Sequence, residues 1–197
     1  MKAILVVLAV IILVAVGVVS WAVGVNNDLV RSEQLVNEKW AQVQNVYQRR
    51  ADLVPNLVET VKGFAAQERT VLEEVTRARA SVAGIKATPE LINDPAAFQK
   101  FQQAQQELGG ALARLLVTVE RYPDLKSNAN FLTLQSQLEG TENRITVERQ
   151  RFNEAVRDYD TRLKLFPASL VASSRGFKAK AFFEAAPGSE QPPKVKF

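Results

Sequence analysis

The sequence predicts an all-α protein: an N-terminal transmembrane helix, an up-and-down antiparallel four-helix bundle with long helices, and an irregular C-terminal tail. Three observations carry this. Residues 3–25 are almost wholly apolar. Heptad-type apolar spacing recurs four times between residues 26 and 166. Helix-stopping and helix-starting residues separate the runs, and no alternating strand-like pattern competes.

The apolar run contains only Ser20 as a polar side chain. At helical rise it reaches roughly 34 Å, against about 30 Å for a bilayer core. The alternative is a cleaved signal peptide, whose apolar region spans about 7–15 residues before a small-x-small site. This run is longer and has no such site near Trp21, so a retained single-pass anchor over residues 1–25 is expected. Lys2 precedes the span, and Asn26, Asn27 and Asp28 follow it before Arg31. The positive-inside bias then puts the N-terminus in the cytoplasm and the bulk of the chain outside, in the periplasm or its equivalent.

Four stripes follow in residues 26–166. They are Leu29, Val36, Trp40, Val43, Tyr47, Val54; then Leu57, Val61, Phe64, Val71, Val75, Ala78, Val82; then Phe98, Phe101, Leu108, Leu112, Leu115, Val119; then Phe131, Leu138, Ile145, Phe152, Tyr159, Phe166. The last keeps a strict beat of seven, the mark of coiled-coil packing. Pro55 predicts a break or sharp kink at Asp52–Pro55. Gly84 predicts a helix end, Asp94-Pro95 a capped helix start, and Pro123 the end of the third helix, with Ser127 or Asn128 capping the fourth. Short connections make neighbours antiparallel. The expected break at Pro55 then lies far from the bilayer, and the Gly84–Pro95 loop and the tail lie near it.

Acidic and basic residues cancel between 26 and 166, so the net charge of +4 comes from Lys2 and the tail. No basic stripe with interleaved aromatics marks a nucleic-acid surface. The tail, 167–197, holds four prolines and two aromatic-basic patches, and reads as irregular and partly disordered. Phe177, Lys178, Lys180, Phe182 and Phe183 form one patch; the other ends in Val195, Lys196 and Phe197. They suit contact with anionic lipid, strand addition to a partner, or loose packing on the bundle.

Catalytic machinery is not expected. With no His and no Cys, the chain has no nucleophile–histidine pair, no thiolate, no lipoprotein thiol and no imidazole metal site. It has no phosphate loop, and Gly109-Gly110 inside a helical run reads as close helix packing. Adjacent carboxylates such as Glu73 and Glu74 face apart. No cofactor and no metal are expected. Glu68, Gln105 and Glu148 fall on or beside core stripes. They read as a buried register-fixing layer with arginine partners such as Arg149, or as the lining of a small-ligand pocket.

Arg49, Arg50, Asp52, Asn56 and Glu59 crowd charge and polarity around the expected break. One reading is structural: Asp52 or Asn56 caps the second helix, and an arginine pairs with a carboxylate across the turn. The other is a docking surface at the distal tip, where arginine suits bidentate contact with a partner.

The stretch Arg49-Arg50-Ala51-Asp52-Leu53-Val54-Pro55-Asn56-Leu57-Val58-Glu59-Thr60-Val61-Lys62-Gly63-Phe64 resembles the signature of the bacterial LemA family. So do Tyr122-Pro123-Asp124-Leu125-Lys126-Ser127-Asn128, and Glu142-Asn143-Arg144-Ile145 followed by Arg149, Phe152-Asn153, Val156 and Tyr159. Gly176-Phe177-Lys178 and the terminal Pro193 to Phe197 are similar too. The chain departs from the family's pattern at Val25-Asn26 and Tyr159-Asp160. The resemblance implies a membrane segment, an up-and-down four-helix bundle and no established enzyme activity.

The expected function is therefore a membrane-anchored scaffold or adaptor of the bacterial envelope. Its partner would be a membrane or envelope protein; the resemblance to the LemA family suggests a membrane protease, and nothing in this sequence specifies one. Self-association through the anchor-proximal heptads stays open. The alternative is an envelope sensor holding a small ligand between helices, with Gln105 and Glu68 lining the cavity.

Overall fold

The computed structural model describes residues 2–184. All regular structure among them is helical. The elements are α1 (Lys2–Phe64), α2 (Arg69–Ala83), a 3-10 turn (Pro89–Asn93), α3 (Pro95–Val119), the short α4 (Pro123–Lys126), α5 (Ala129–Lys164) and α6 (Ala168–Arg175). The start signals act as the residue chemistry demands. The Asp94 carboxylate accepts from the N–H groups of Ala96 (2.9 Å) and Ala97 (3.1 Å), with Pro95 in the first turn. Asn128 caps α5 in the same way, accepting from Asn130 and Phe131. α2 ends at Ala83, with Gly84 as its cap.

The break expected at Pro55 does not exist. α1 runs unbroken for 63 residues, with Pro55 inside it. Proline has no N–H, so the Ala51 carbonyl four residues back loses its helical donor. Here the Arg79 Nε of α2 donates to that carbonyl at 3.0 Å. A cation from the neighbouring helix thus stands in for the missing amide. The chain turns instead at Ala65–Glu68, and Leu57 and Val61, assigned by the sequence to the second helix, are buried on α1.

α1 and α5 are antiparallel and packed along most of their shared length. Trp40 meets Phe152, and Arg50 meets Glu142 ten residues further on in each direction. α2 and α3 form a second antiparallel pair, joined by Arg114 to Glu74 at 3.0 Å and Arg121 to Glu68 at 3.0 Å. The apolar interior falls into two clusters. A far cluster, beside the Ala65–Glu68 turn, contains Val54, Leu57, Val61, Leu108, Leu115 and Leu138. A near cluster, towards the apolar segment of α1, contains Val36, Trp40, Phe98, Phe101, Phe152 and Tyr159. The near cluster is aromatic, with ring centroids 5.4–5.7 Å apart around Trp40 for Phe98, Phe101 and Phe152, inside the favourable range for tilted pairs.

The stripes read from sequence are mostly buried, with two exceptions. Phe64 is exposed at the far turn, and Phe166 is 80% exposed although it continues the beat of seven on α5. The helix stops at Lys164, two residues before it. Within the run 3–25 every side chain is exposed except Ala22 and Val25, which are half-buried. That part of α1 is long and apolar enough to cross a membrane.

The described part of the tail, up to Glu184, is more ordered than its composition implies. Residues 168–175 form α6, and residues up to Glu184 lie against the near cluster.

The Pro55–Arg79 relation is testable by a double-mutant cycle. Arg79→Ala is expected to cost about 1–2 kcal/mol, the net worth of a hydrogen bond from a charged donor. In a Pro55→Ala background the N–H restored at position 55 takes the Ala51 carbonyl, and at least half of that loss disappears. Chemical denaturation of the four proteins in one detergent measures the coupling; additive losses would reject this account.

Candidate functional site

Between the two apolar clusters lies a polar node centred on Arg50. Position 50 falls on the buried face of α1, between Tyr47 and Val54. Its side chain is only 4% exposed. Nη1 donates to both Glu142 oxygens, at 3.0 and 3.3 Å. Nη2 donates to the Gln105 backbone carbonyl at 3.0 Å and also to the Gln105 side-chain oxygen. The guanidinium sits 5.1 Å from the centre of the Tyr47 ring. A guanidinium satisfies this set because its planar fork aims several donors at once. Gly109 borders the node: a Cβ there would lie 3.7 Å from Nη1, at ordinary contact distance.

A cleft of about 170 Å³ opens beside the node, lined in part by Tyr47, Arg50, Gln102, Gln105, Glu142 and Arg149. Two buried donors in it, Arg50 Nε and Gln102 Nε2, have no acceptor among the described residues. Burial raises the pKa of the Tyr47 phenol, with Arg149 and Arg50 pulling against it. Glu68 does not line this cleft. It lies at the far turn, where it accepts from Arg121 and from the Tyr122 hydroxyl at 2.6 Å. Glu148 pairs with Arg151. The three core-stripe polar residues are therefore three separate sites and not one layer.

Arg49, Asp52, Asn56 and Glu59 are exposed. Their spacing puts them on one outer stripe of α1, away from the buried Arg50. The sequence grouped all five around a helix break at a tip; the structure buries the Arg50 side chain and sets the others along the last few turns of α1, because α1 does not end at Pro55. No cap is needed there, and Asp52 instead accepts from Gln48 at 2.7 Å.

The tail residues also divide. Phe183 is buried against Phe98 (4.9 Å), Phe152 (5.7 Å) and Trp40 (6.3 Å). The Arg149 guanidinium covers its outer face at 4.5 Å. Asn153 clasps its backbone twice: Phe183 N–H donates to Oδ1 at 2.9 Å, and Nδ2 donates to the Phe183 carbonyl at 2.8 Å. Lys180 is buried as well, donating to Glu33 (2.6 Å) and Asn93 (2.8 Å), while its N–H donates to Asp160. Burial raises the Asp160 pKa, and the contacts with Lys180 and Lys164 oppose that shift. Phe177 is half-buried, whereas Lys178 and Phe182 are exposed. Lys180 and Phe183 are thus fastenings within the chain, which corrects the sequence expectation that they meet lipid or a partner. Val195 and Phe197 lie outside the described residues. The sequence gives no sign of Glu33 and Asn93, and marks Asn153 only as part of the family motif without a role, since a clasp on a backbone leaves no spacing pattern.

Chemically, the node neutralises charge and fixes register. Among the described residues no group of three or more carboxylates converges on a point where a metal could sit.

The LemA family's sequence model matches residues 39–197. The chain belongs to the LemA family. Its resemblance to that family, read from the motifs around Pro55, Pro123 and Glu142, is thereby established. Similar proteins include magnetosome protein MamQ of Magnetospirillum gryphiswaldense, 26% identical over 170 residues, covering 78% of this chain and 62% of that protein. MamQ 2 of Paramagnetospirillum magneticum is 25% identical, covering 84% of this chain and 67% of its own length. Protein LemA of Metamycoplasma hominis is 21% identical, covering 83% and 70%. This LemA-family chain thus spans about three fifths of the Magnetospirillum relative. The matched region starts just before Trp40 and contains the whole node, the Asn153 clasp and the tail.

Two predictions test the site. Arg50→Met leaves Gln105 and Glu142 without their donor and should cost on the order of 2–3 kcal/mol. Glu142→Gln keeps an acceptor on a half-exposed side chain and should cost under about 1 kcal/mol. Thermal unfolding of the full chain in detergent ranks the two; equal losses would mean that the carboxylate charge, not the geometry, holds the node. For the tail, Phe183→Ala should cost about 3 kcal/mol and expose the segment after Gly176 to protease, while Phe182→Ala should change stability by less than about 0.5 kcal/mol. Equal protease sensitivity in both variants would contradict the clasp.

Proposed function

We propose that this LemA-family protein is a non-catalytic scaffold or adaptor, anchored in the cell membrane by residues 3–25, with its helical body outside the cytoplasm. The observation that carries the reading is the continuity of α1: one helix contains both the apolar segment and the inner wall of the body. From Asn26 to Phe64 such a helix extends about 58 Å. A rigid stalk of this kind transmits position, which is what a scaffold does. In this reading the pairs α1–α5 and α2–α3 close into an up-and-down four-helix bundle. The exposed stripe of Arg49, Asp52, Asn56 and Glu59 then faces a membrane or envelope protein at a fixed height. The groove between α1 and α2, about 610 Å³ and lined by Val58, Glu59, Lys62, Arg69 and Leu72 among others, continues that surface and offers it an apolar floor. The naming of relatives as magnetosome proteins agrees with membrane association.

A second reading is favoured by one observation. The two unpartnered buried donors at the Arg50 cleft suit a small acceptor ligand held in the body, as a sensor would hold it.

In-cell photo-crosslinking separates the readings. With the crosslinker at Arg49, Asn56 and Glu59, the scaffold predicts one recurring membrane or envelope protein from all three positions. A crosslinker at Val117 on α3 should not capture it. Absence of any reproducible adduct from the stripe counts against the scaffold and leaves the ligand-holding body ahead.

A further inference from the structure

We propose that residues Leu165–Gly176 form a foot that rests in an anionic lipid surface beside the apolar part of α1; this rests on the membrane-anchor reading above. The first observation is misplaced apolar surface. Leu165 is 57%, Phe166 80% and Leu170 60% exposed, clustered where α5 stops and α6 begins. Phe166 continues a stripe whose five earlier members, Phe131, Leu138, Ile145, Phe152 and Tyr159, are all buried. A protein body has no reason to present three large apolar side chains together to water.

The second observation is their height. The antiparallel register that pairs Arg50 with Glu142 and Trp40 with Phe152 brings Phe166 level with Asn26, the first polar residue after the apolar run. Arg175, the last residue of α6, fixes that level directly: its Nε donates to the Asn26 side-chain oxygen at 3.1 Å. α6 packs on both α1 and α5. The only two half-buried side chains of the apolar run, Ala22 and Val25, lie within about one turn of Asn26. The foot is therefore at the boundary where a bilayer around residues 3–25 would begin.

The third observation is charge. From Thr161 to Phe183 the chain has no carboxylate, and Arg162, Lys164, Arg175 and Lys178 are exposed around the apolar cluster. Apolar side chains flanked by cations at one level suit insertion below anionic headgroups. This replaces the sequence expectation for Lys180 and Phe183, which are occupied inside the fold.

The chain has no cysteine, so one introduced cysteine carries one probe. Full-length Phe166→Cys and Leu170→Cys proteins, labelled with an environment-sensitive fluorophore, are reconstituted into phosphatidylcholine–phosphatidylglycerol vesicles. Val18→Cys, read with a nitroxide carried deep on the acyl chain, reports on the span. Val117→Cys, at a position 71% exposed on α3, reports on surface away from the foot. Lipids carrying a shallow nitroxide should quench positions 166 and 170 at least threefold more than position 117, with a blue shift in emission. Quenching at 18 but none above the level of 117 at 166 and 170 would overturn the foot and leave the anchor standing. A blue shift at 166 without quenching would assign the surface to protein, such as a second copy of this chain, and equally overturn it. No quenching at 18 would remove the anchor reading, and the foot with it.

Discussion

About a turn and a half of α1, from Arg50 to Pro55, joins every long helix of the body. Arg50 reaches α5 through Glu142 and α3 through Gln105. The next residue, Ala51, receives Arg79 from α2. Pro55 frees the Ala51 carbonyl, and Arg79 occupies it. Without that replacement a half-buried carbonyl would be unpaired in a helix that must stay continuous. The rest of the architecture follows from the continuity: the far turn moves to Ala65–Glu68, Arg50 falls inside, and the two apolar clusters are held in a common register.

The node lies between two cores of different character. On the far side, aliphatic residues such as Leu57, Leu108 and Leu115 pack around small ones such as Ala65 and Ala111. On the near side, large rings such as Trp40, Phe98 and Phe152 form the core, and the tail adds to it. Phe183 enters among Trp40, Phe98 and Phe152, and Lys180 turns its charge onto Glu33 and Asn93. The near core is therefore built from both ends of the body's sequence, and the loop after α2 joins it through Leu91 and Ile92.

A shared consequence is stiffness at the near end. Trp40 donates to the Thr88 carbonyl, the Ala181 N–H donates to the Ile92 carbonyl, and Arg175 holds Asn26. These bonds tie α1 to the loop and to the tail immediately beyond its apolar segment.

The sequence alone determined the helical class, the family, the apolar segment and most of the core, since burial of a helical stripe needs only period and side-chain type. It determined the Asp94 cap and narrowed the α5 cap to Ser127 or Asn128, because a cap is a local hydrogen bond. It misplaced Pro55, Arg50 and the tail for one reason: each depends on a partner distant in the chain. A helix passes through proline only if Arg79, from the next helix, arrives at the freed carbonyl. Lys180 and Phe183 look like solvent-facing, membrane-seeking residues until Glu33, Asn93 and Asn153 are placed around them. Arg50 looks like surface charge until Gln105 and Glu142 converge on it. Local chemistry sets what each segment is, and only tertiary contact decides which polar groups are already satisfied and which remain for something outside the chain.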